Sequence, residues 1–238
     1  TSRRQRQMCI RDSNRSVHSA LAQVETWRST VWFIEGDISA CFDEIDHRIL
    51  ESILRERIDD ERFIRLINKL LKAGYFDMEH NFQTTKRGNA QGSCASPILA
   101  NIYLDKLDRF MEEVIKRDTM GKHRRQNPEY ARLRYQLNKA ISGHDVKEIK
   151  RLRKELKSTS SVDNSDSSFR RVHYVRYADD FLVGTISSKA YAEQLKQEIK
   201  QFLEDELHLR LSEEKTLITH AKNEKAHFLG YLISRRFP

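Results

Sequence analysis

"HYVRYADDFLVG", residues 173–184, sets two adjacent acids inside an apolar run. Val175, Tyr177, Phe181, Leu182 and Val183 have the β-branched and aromatic character of buried strand residues. Asp179 and Asp180 interrupt them. Burying a carboxylate is costly unless it is paired or binds a cation, and two side by side repel, so that one would ordinarily keep a proton. A divalent cation reverses that preference and holds both ionised. Successive strand residues face opposite sides of a sheet, but a tight turn aims both acids at one place. The stretch therefore predicts strand, turn and strand, with the acids at the turn.

A third acid stands at the end of another apolar strand: "TVWFIEGDIS", residues 30–39, ends its β-like run at Asp37. Asp43, Glu44 and Asp46 follow it, but they fall at a loop and a helix N-terminus, where acids suit the helix dipole and need no further role. An acid pair in a strong β pattern plus a further strand-end acid suits a two-metal site. Such a site holds ions about 3.5–4 Å apart for in-line displacement at phosphorus.

Outward from these strands the chain mixes elements without a strict βαβ alternation. "SVHSALAQVETWR" spaces Val17, Leu21, Val24 and Trp27 as a helix, with Ser16 as N-cap. "DHRILESILRERI" and "DERFIRLINKLLKAG" are amphipathic helices opened by Asp, the second closed by Gly74. "MEHNFQTTKRGN" predicts a hairpin, and "SPILANIYLDKLDRFMEEVIK" a long helix with Pro97 in its first turn. Two basic helices, "PEYARLRYQLNKAI" and "DVKEIKRLRKELK", precede a polar loop, "STSSVDNSDSS". After the opening stretch come a helix, "KAYAEQLKQEIKQFLEDEL", and short strands at "LRLS", "KTLITH" and "HFLGYLIS". The pattern predicts an α+β fold, an antiparallel sheet with helices packed on one face.

The 238 residues are 38% hydrophobic and 33% charged, with no apolar run long enough for a membrane span, so no membrane partner is expected. Cys9, Cys41 and Cys94 are odd in number and lack metal-ligand spacing, which suits a reduced intracellular compartment. The net charge is +8, and residues 111–171 alone carry +7. A localised basic face is the footprint of a nucleic-acid binder, although a solvated charged helix pair has the same composition. Residues 1–13, "TSRRQRQMCIRDS", do not begin with Met and resemble translated adaptor read-through. They are set aside as non-native or disordered.

Five stretches, in order, resemble the motifs of reverse transcriptases. "RYADDFLVG" is similar to the catalytic hairpin. "EGDISACFDEIDHRIL" is similar to the first catalytic motif, an Asp followed five residues later by an aromatic. "QGSCASPILANIYLDKLD" resembles the nucleotide-proximal loop and helix. "LRLSEEKTLIT" and "HFLGYLI" resemble the two motifs after the hairpin. Among such enzymes the group II intron-encoded type, also called maturases, fits best. The resemblance implies a polymerase palm with partial fingers and a basic helical insertion, the thumb absent because the chain is cut from a longer protein. It divides the chain into residues 14–110 (partial fingers and first part of the palm), 111–171 (insertion and polar loop) and 172–238 (second part of the palm, with catalytic hairpin and primer grip).

It also implies roles. Asp37, Asp179 and Asp180 would be catalytic and would hold two Mg²⁺ ions (Mn²⁺ as a substitute), with the Ile38 carbonyl as a further ligand. Phe42 would exclude a 2′-hydroxyl, Ala40 and Cys41 would offer amides to the triphosphate, and Gln91 and Gly92 would line the nucleotide pocket. Lys215 would protonate pyrophosphate, and Leu229, Gly230 and Tyr231 would grip the primer. Ser93, Cys94 and Ala95 depart from the more glycine-rich or aliphatic stretch common there. In the insertion, Lys122, Arg124, Arg125, Arg132, Arg134, Lys150, Arg151, Arg153 and Lys154 would contact RNA. Partners would be group II intron RNA, an RNA template with DNA primer, and dNTPs, in a bacterial cytoplasm or an organelle. The activity implied is RNA-directed DNA polymerisation in support of intron mobility and splicing. The alternatives are an RNA-folding maturase with an idle polymerase, a retron or diversity-generating type, and, ranked low, a nucleotide cyclase, which lacks the gate aromatic and the QG loop in this order.

Overall fold

A computed structural model describes residues 16–27, 29–76, 82–83, 87–88, 95–163, 166 and 168–235. The central sheet is antiparallel. Strand β1 (Trp32–Ser39) lies at its middle, and a hairpin of β4 (Arg171–Tyr177) and β5 (Asp180–Ile186) pairs with it through β5. On its other side β1 pairs with β6 (Arg210–Leu211) near its end and with β7 (Ile218–His220) near its start. Among the described residues two further pairs lie outside this sheet, β2 (Tyr75–Phe76) with β3 (Phe82–Gln83) and β8 (Ala226–Phe228) with β9 (Tyr231–Ile233). Of the hairpin expected over residues 78–89, only Phe82 and Gln83 fall in the first pair, and residues 78–81, 84–86 and 89 lie outside the described residues.

One sheet face is covered by helices. These are α3 (His47–Arg55), α5 (Ser96–Asp118) and α8 (Lys189–Leu207), with α4 (Glu61–Lys72) outside α3 and the short α2 (Cys41–Glu44) following β1. Asp46 and Asp60 cap α3 and α4 by accepting amides from the first turn, which accounts for the Asp at the head of each motif. Tyr103, Leu104, Leu107 and Met111 of α5 pack with Ile34, Ile38 and Phe181 of the sheet and Leu195, Ile199 and Leu203 of α8, all essentially without exposure. Each such aliphatic side chain contributes roughly 1.5–3 kcal/mol through burial. Gly36 is required here, because the Phe181 ring lies against it and a Cβ would sit 2.1 Å from that ring.

The opposite face is not open, which corrects the expectation of helices on one face. Helix α1 (Val17–Glu25) and the β8–β9 hairpin cover Phe33, Val175 and Leu182 with Ala20, Val24, Trp27, Ala226 and Phe228. The reason is visible in the strands: near-continuous apolar runs, unlike alternating ones, need cover on both faces.

The insertion is a helical hairpin, α6 (Pro128–Ser142) against α7 (Val146–Ser158), closed on Leu133 and Leu152. It joins the body through backbone bridges Met120 to Arg170 and Gln126 to Val162, so part of the predicted polar loop is paired. Among the described residues no helix is long and apolar enough to cross a membrane. Residues 1–13 lie outside the described residues.

Candidate active site at the end of the central strands

The β4–β5 hairpin turns on Ala178 and Asp179, between the closing pair Tyr177 and Asp180. Ala178 adopts a left-handed conformation, φ 58°, which a β-branched residue would resist. Asp37 is the direct cross-strand partner of Asp180. Directly opposed residues of an antiparallel pair point to the same face, here the face that also carries Glu35, Leu182 and the β8–β9 hairpin. Like charges so opposed are destabilising. Accordingly the Asp180 carboxyl is pushed up to about 6, first by burial, then by the charges of Asp179 and Asp37, with Lys215 opposing. Lys215 Nζ lies 3.2 and 3.3 Å from the two carboxylate oxygens of Asp37.

An open cleft runs beside the two acids. Its walls include Glu35, Asp37, Asp180, Lys215, His227 and Leu229. Buried Glu35 fixes the far wall: its Oε2 accepts the His227 amide at 2.9 Å and its other oxygen accepts from the Thr219 hydroxyl, tying β7 and β8 to β1 two residues before Asp37. Leu229 and Gly230 form the β8–β9 turn with positive φ at both positions, 52° and 80°, the pattern of a type I′ hairpin. Tyr231 follows, half-exposed, with its ring edge toward His18.

At the same end of β1, one residue past Asp37, Ile38 is buried opposite Leu211. Ala40, at φ 46°, starts α2. Cys41 is buried, and its thiol is pushed up to about 12 by burial and then by Asp179, so it stays neutral and unreactive. Phe42 is partly buried against the core on the helix side of the sheet. Gln91 and Gly92 lie outside the described residues. The structure thus brings Asp37, Asp180, Lys215 and Leu229 to one cleft, with Asp179 in the adjoining turn. Among the described residues no three His, Cys, Asp or Glu side chains are gathered tightly enough to hold an ion as they stand. The donor set is nevertheless all oxygen and short of positive charge, which fits a hard divalent cation in place of the Lys215 ammonium.

Of the basic residues, Lys122, Arg125, Arg132, Arg134, Lys150, Arg151, Arg153 and Lys154 are exposed. Arg124 is less available: its guanidinium lies 5.6 Å over the Phe169 ring, desolvated enough to lower its pKa. Arg151 pairs with Glu148 and Glu155. By helical periodicity Lys147, Lys150, Arg151, Lys154 and Lys157 share one arc of α7, opposite Ile149, Leu152 and Leu156.

Sequence reading missed Glu35 and Arg176. Each is a charge inside an apolar run, "WFIEGD" and "YVRYADD", the same signal that singled out the aspartates.

The chain is similar to several known proteins. The chain is 36% identical over 230 residues to the group II intron-encoded protein LtrA of Lactococcus lactis, covering 93% of this chain and 38% of that protein. It is 38% identical over 222 residues to a COX1/OXI3 intron 1 protein of Saccharomyces cerevisiae, covering 93% and 26%. It therefore spans between a quarter and two-fifths of the length of these relatives. Among solved structures it is similar in fold to telomerase from Candida albicans in complex with a fragment of telomeric RNA, at 12% identity and a TM-score of 0.58, over 98% of this chain and 34% of that one. The family model described as reverse transcriptase (RNA-dependent DNA polymerase) matches residues 3–135 and 143–233. With the acid-bearing hairpin in place and nearly the whole chain matched, this protein belongs to the reverse transcriptase family.

Proposed function

We propose that this chain is the catalytic core of an RNA-directed DNA polymerase within a longer group II intron-encoded protein. The observation that carries the reading is the opposition of Asp37 and Asp180 at the strand ends, with Asp179 in the turn between. Asp37, Asp179 and Asp180, with the Ile38 carbonyl, would hold two Mg²⁺ ions. When bound, these would supply charge stabilisation to a phosphoryl transfer.

The chain's own groups do the rest. The β8–β9 turn, Leu229 to Tyr231, holds the primer end at the cleft wall. The primer 3′-hydroxyl oxygen bonds to the α-phosphorus of a dNTP, the bond to pyrophosphate breaks, and the hydroxyl proton passes to water. Lys215, 69% exposed along its side chain, leaves Asp37 and donates a proton to pyrophosphate. Ala40 and Cys41 present amides at the start of α2 to the triphosphate, and Gln91 and Gly92, outside the described residues, would line the nucleotide pocket. Phe42 occupies the space a 2′-hydroxyl would need. The exposed cations of α6 and α7 hold structured intron RNA, so that the full-length protein serves intron mobility and splicing.

The test is primer extension on an RNA template with Mg²⁺ by the full-length protein. Asp179→Ala should abolish extension and leave RNA affinity nearly unchanged; substantial extension by the variant removes Asp179 from the site.

A further inference from the structure

Arg176 is fully buried, two residues before the turn. Strand alternation sends its side chain to the face opposite Asp37 and Asp180, toward α5. There its Nε and one terminal nitrogen grip both oxygens of Asp108, at 2.8 and 2.6 Å. Its other terminal nitrogen donates to the Ala178 carbonyl at 2.8 Å and lies 3.3 Å from Asn101 Oδ1. Tyr174 adds its hydroxyl to Asp108 at 2.9 Å.

We propose that Arg176 is a positioning residue, which locks the Ala178–Asp179 turn to α5 from behind and so sets where the carboxylates of Asp179 and Asp180 stand. Three observations support it. First, a buried ion pair is seldom worth more than a packed apolar pair, so tying β4 to α5 alone does not call for one. Second, one arm of the guanidinium is spent on the turn carbonyl, at the residue forced into the left-handed region. Third, α5 begins at Ser96, capped by Ala95 and so just past residues 91–94 in the chain. The same guanidinium therefore registers the acids against the helix that follows the QG stretch. Arg176 touches neither substrate nor cation, because the sheet lies between.

The inference rests on the reading of the acids as cation ligands, and the test separates the two. Arg176→Lys keeps a charge for Asp108, but a single ammonium cannot grip both carboxylate oxygens and reach the turn carbonyl as the planar fork does. The double variant Arg176→Met with Asp108→Leu removes the buried pair without stranding a charge, which keeps the fold. In the full-length protein, Mn²⁺ affinity is read by electron paramagnetic resonance, with kcat and the Kd for template–primer measured alongside. Both variants should weaken Mn²⁺ binding about tenfold and lower kcat on the order of 100-fold, the scale of a misplacement of about 1 Å. Template–primer Kd should not move. Leu203→Ala, buried in α8, should cost thermal stability without touching Mn²⁺ affinity. If it weakens Mn²⁺ equally, loosening of the core explains the effect and the inference is overturned. If Asp179→Ala loses Mn²⁺ affinity and turnover while the Arg176 variants lose neither, the inference alone falls. If Asp179→Ala loses neither, the reading of the acids falls and the inference with it.

Discussion

Asp180 is held where its charge is unwelcome, so replacing it should strengthen the metal-free fold while destroying function. Its carboxyl is pushed from 3.8 up to about 6 by burial and by Asp179 and Asp37. A group whose pKa is higher folded than unfolded costs stability once it ionises. The penalty is absent below about pH 4, grows as pH rises toward 6, and is complete above it. A shift of about two units corresponds to at most about 3 kcal/mol, and partial exposure reduces that to about half. Asp180→Asn keeps the shape and removes the charge, so above pH 7 and in EDTA it should gain about 1.5 kcal/mol. For a domain of this size that is a rise in Tm of roughly 2–4 °C per kcal/mol. Thermal unfolding of wild type and variant across pH 4–8 is the assay. The gap should close toward pH 4, and added Mg²⁺ should stabilise wild type alone. A variant less stable than wild type at pH 8, or a gap that ignores pH, would show that the carboxylates do not crowd one another.

Gly36→Ala should destabilise by about 1–3 kcal/mol or more, as overpacking does, because its Cβ would collide with the Phe181 ring at 2.1 Å; a denaturant titration with an unchanged midpoint would contradict this. Phe42→Val should admit ribonucleotides in a primer-extension assay, and unchanged sugar discrimination would leave Phe42 a core residue only. Replacing residues 122–157 with a short Gly/Ser join should weaken RNA binding and flatten its salt dependence, by roughly 0.7 to 0.9 in log–log slope per lost phosphate contact. Extension of a saturating template–primer should persist, and an unchanged slope would make the charges a solvated face.

The site was legible where the sequence broke its own pattern. Asp37, Asp179 and Asp180 stood out as acids in apolar strands, and the structure opposes the first and last across one strand pair. The caps were equally plain, since Asp46 and Asp60 each precede an amphipathic run. Three things were hidden. The second sheet face is covered by α1 and by a hairpin at the far end of the chain, a long-range pairing that local periodicity does not encode. Lys215 was singled out by the family resemblance, but its ion pair with Asp37 appears only on folding. The arc of cations on α7 was visible as spacing, but the engagement of Arg124 with Phe169 and of Arg151 with two glutamates depends on three-dimensional contact.

The central claim is that the three aspartates serve nucleotide addition. It is tested most directly by single-turnover incorporation of one correct dNTP on an RNA template with a DNA primer, as Mg²⁺ is titrated, in the full-length wild type and in Asp37→Asn. The account predicts a rate that saturates with Mg²⁺ in wild type and falls on the order of 100- to 1000-fold in the variant, the scale of losing a main electrostatic stabiliser, at equal template–primer occupancy. A variant rate within a few-fold of wild type, with the same Mg²⁺ dependence, would contradict it.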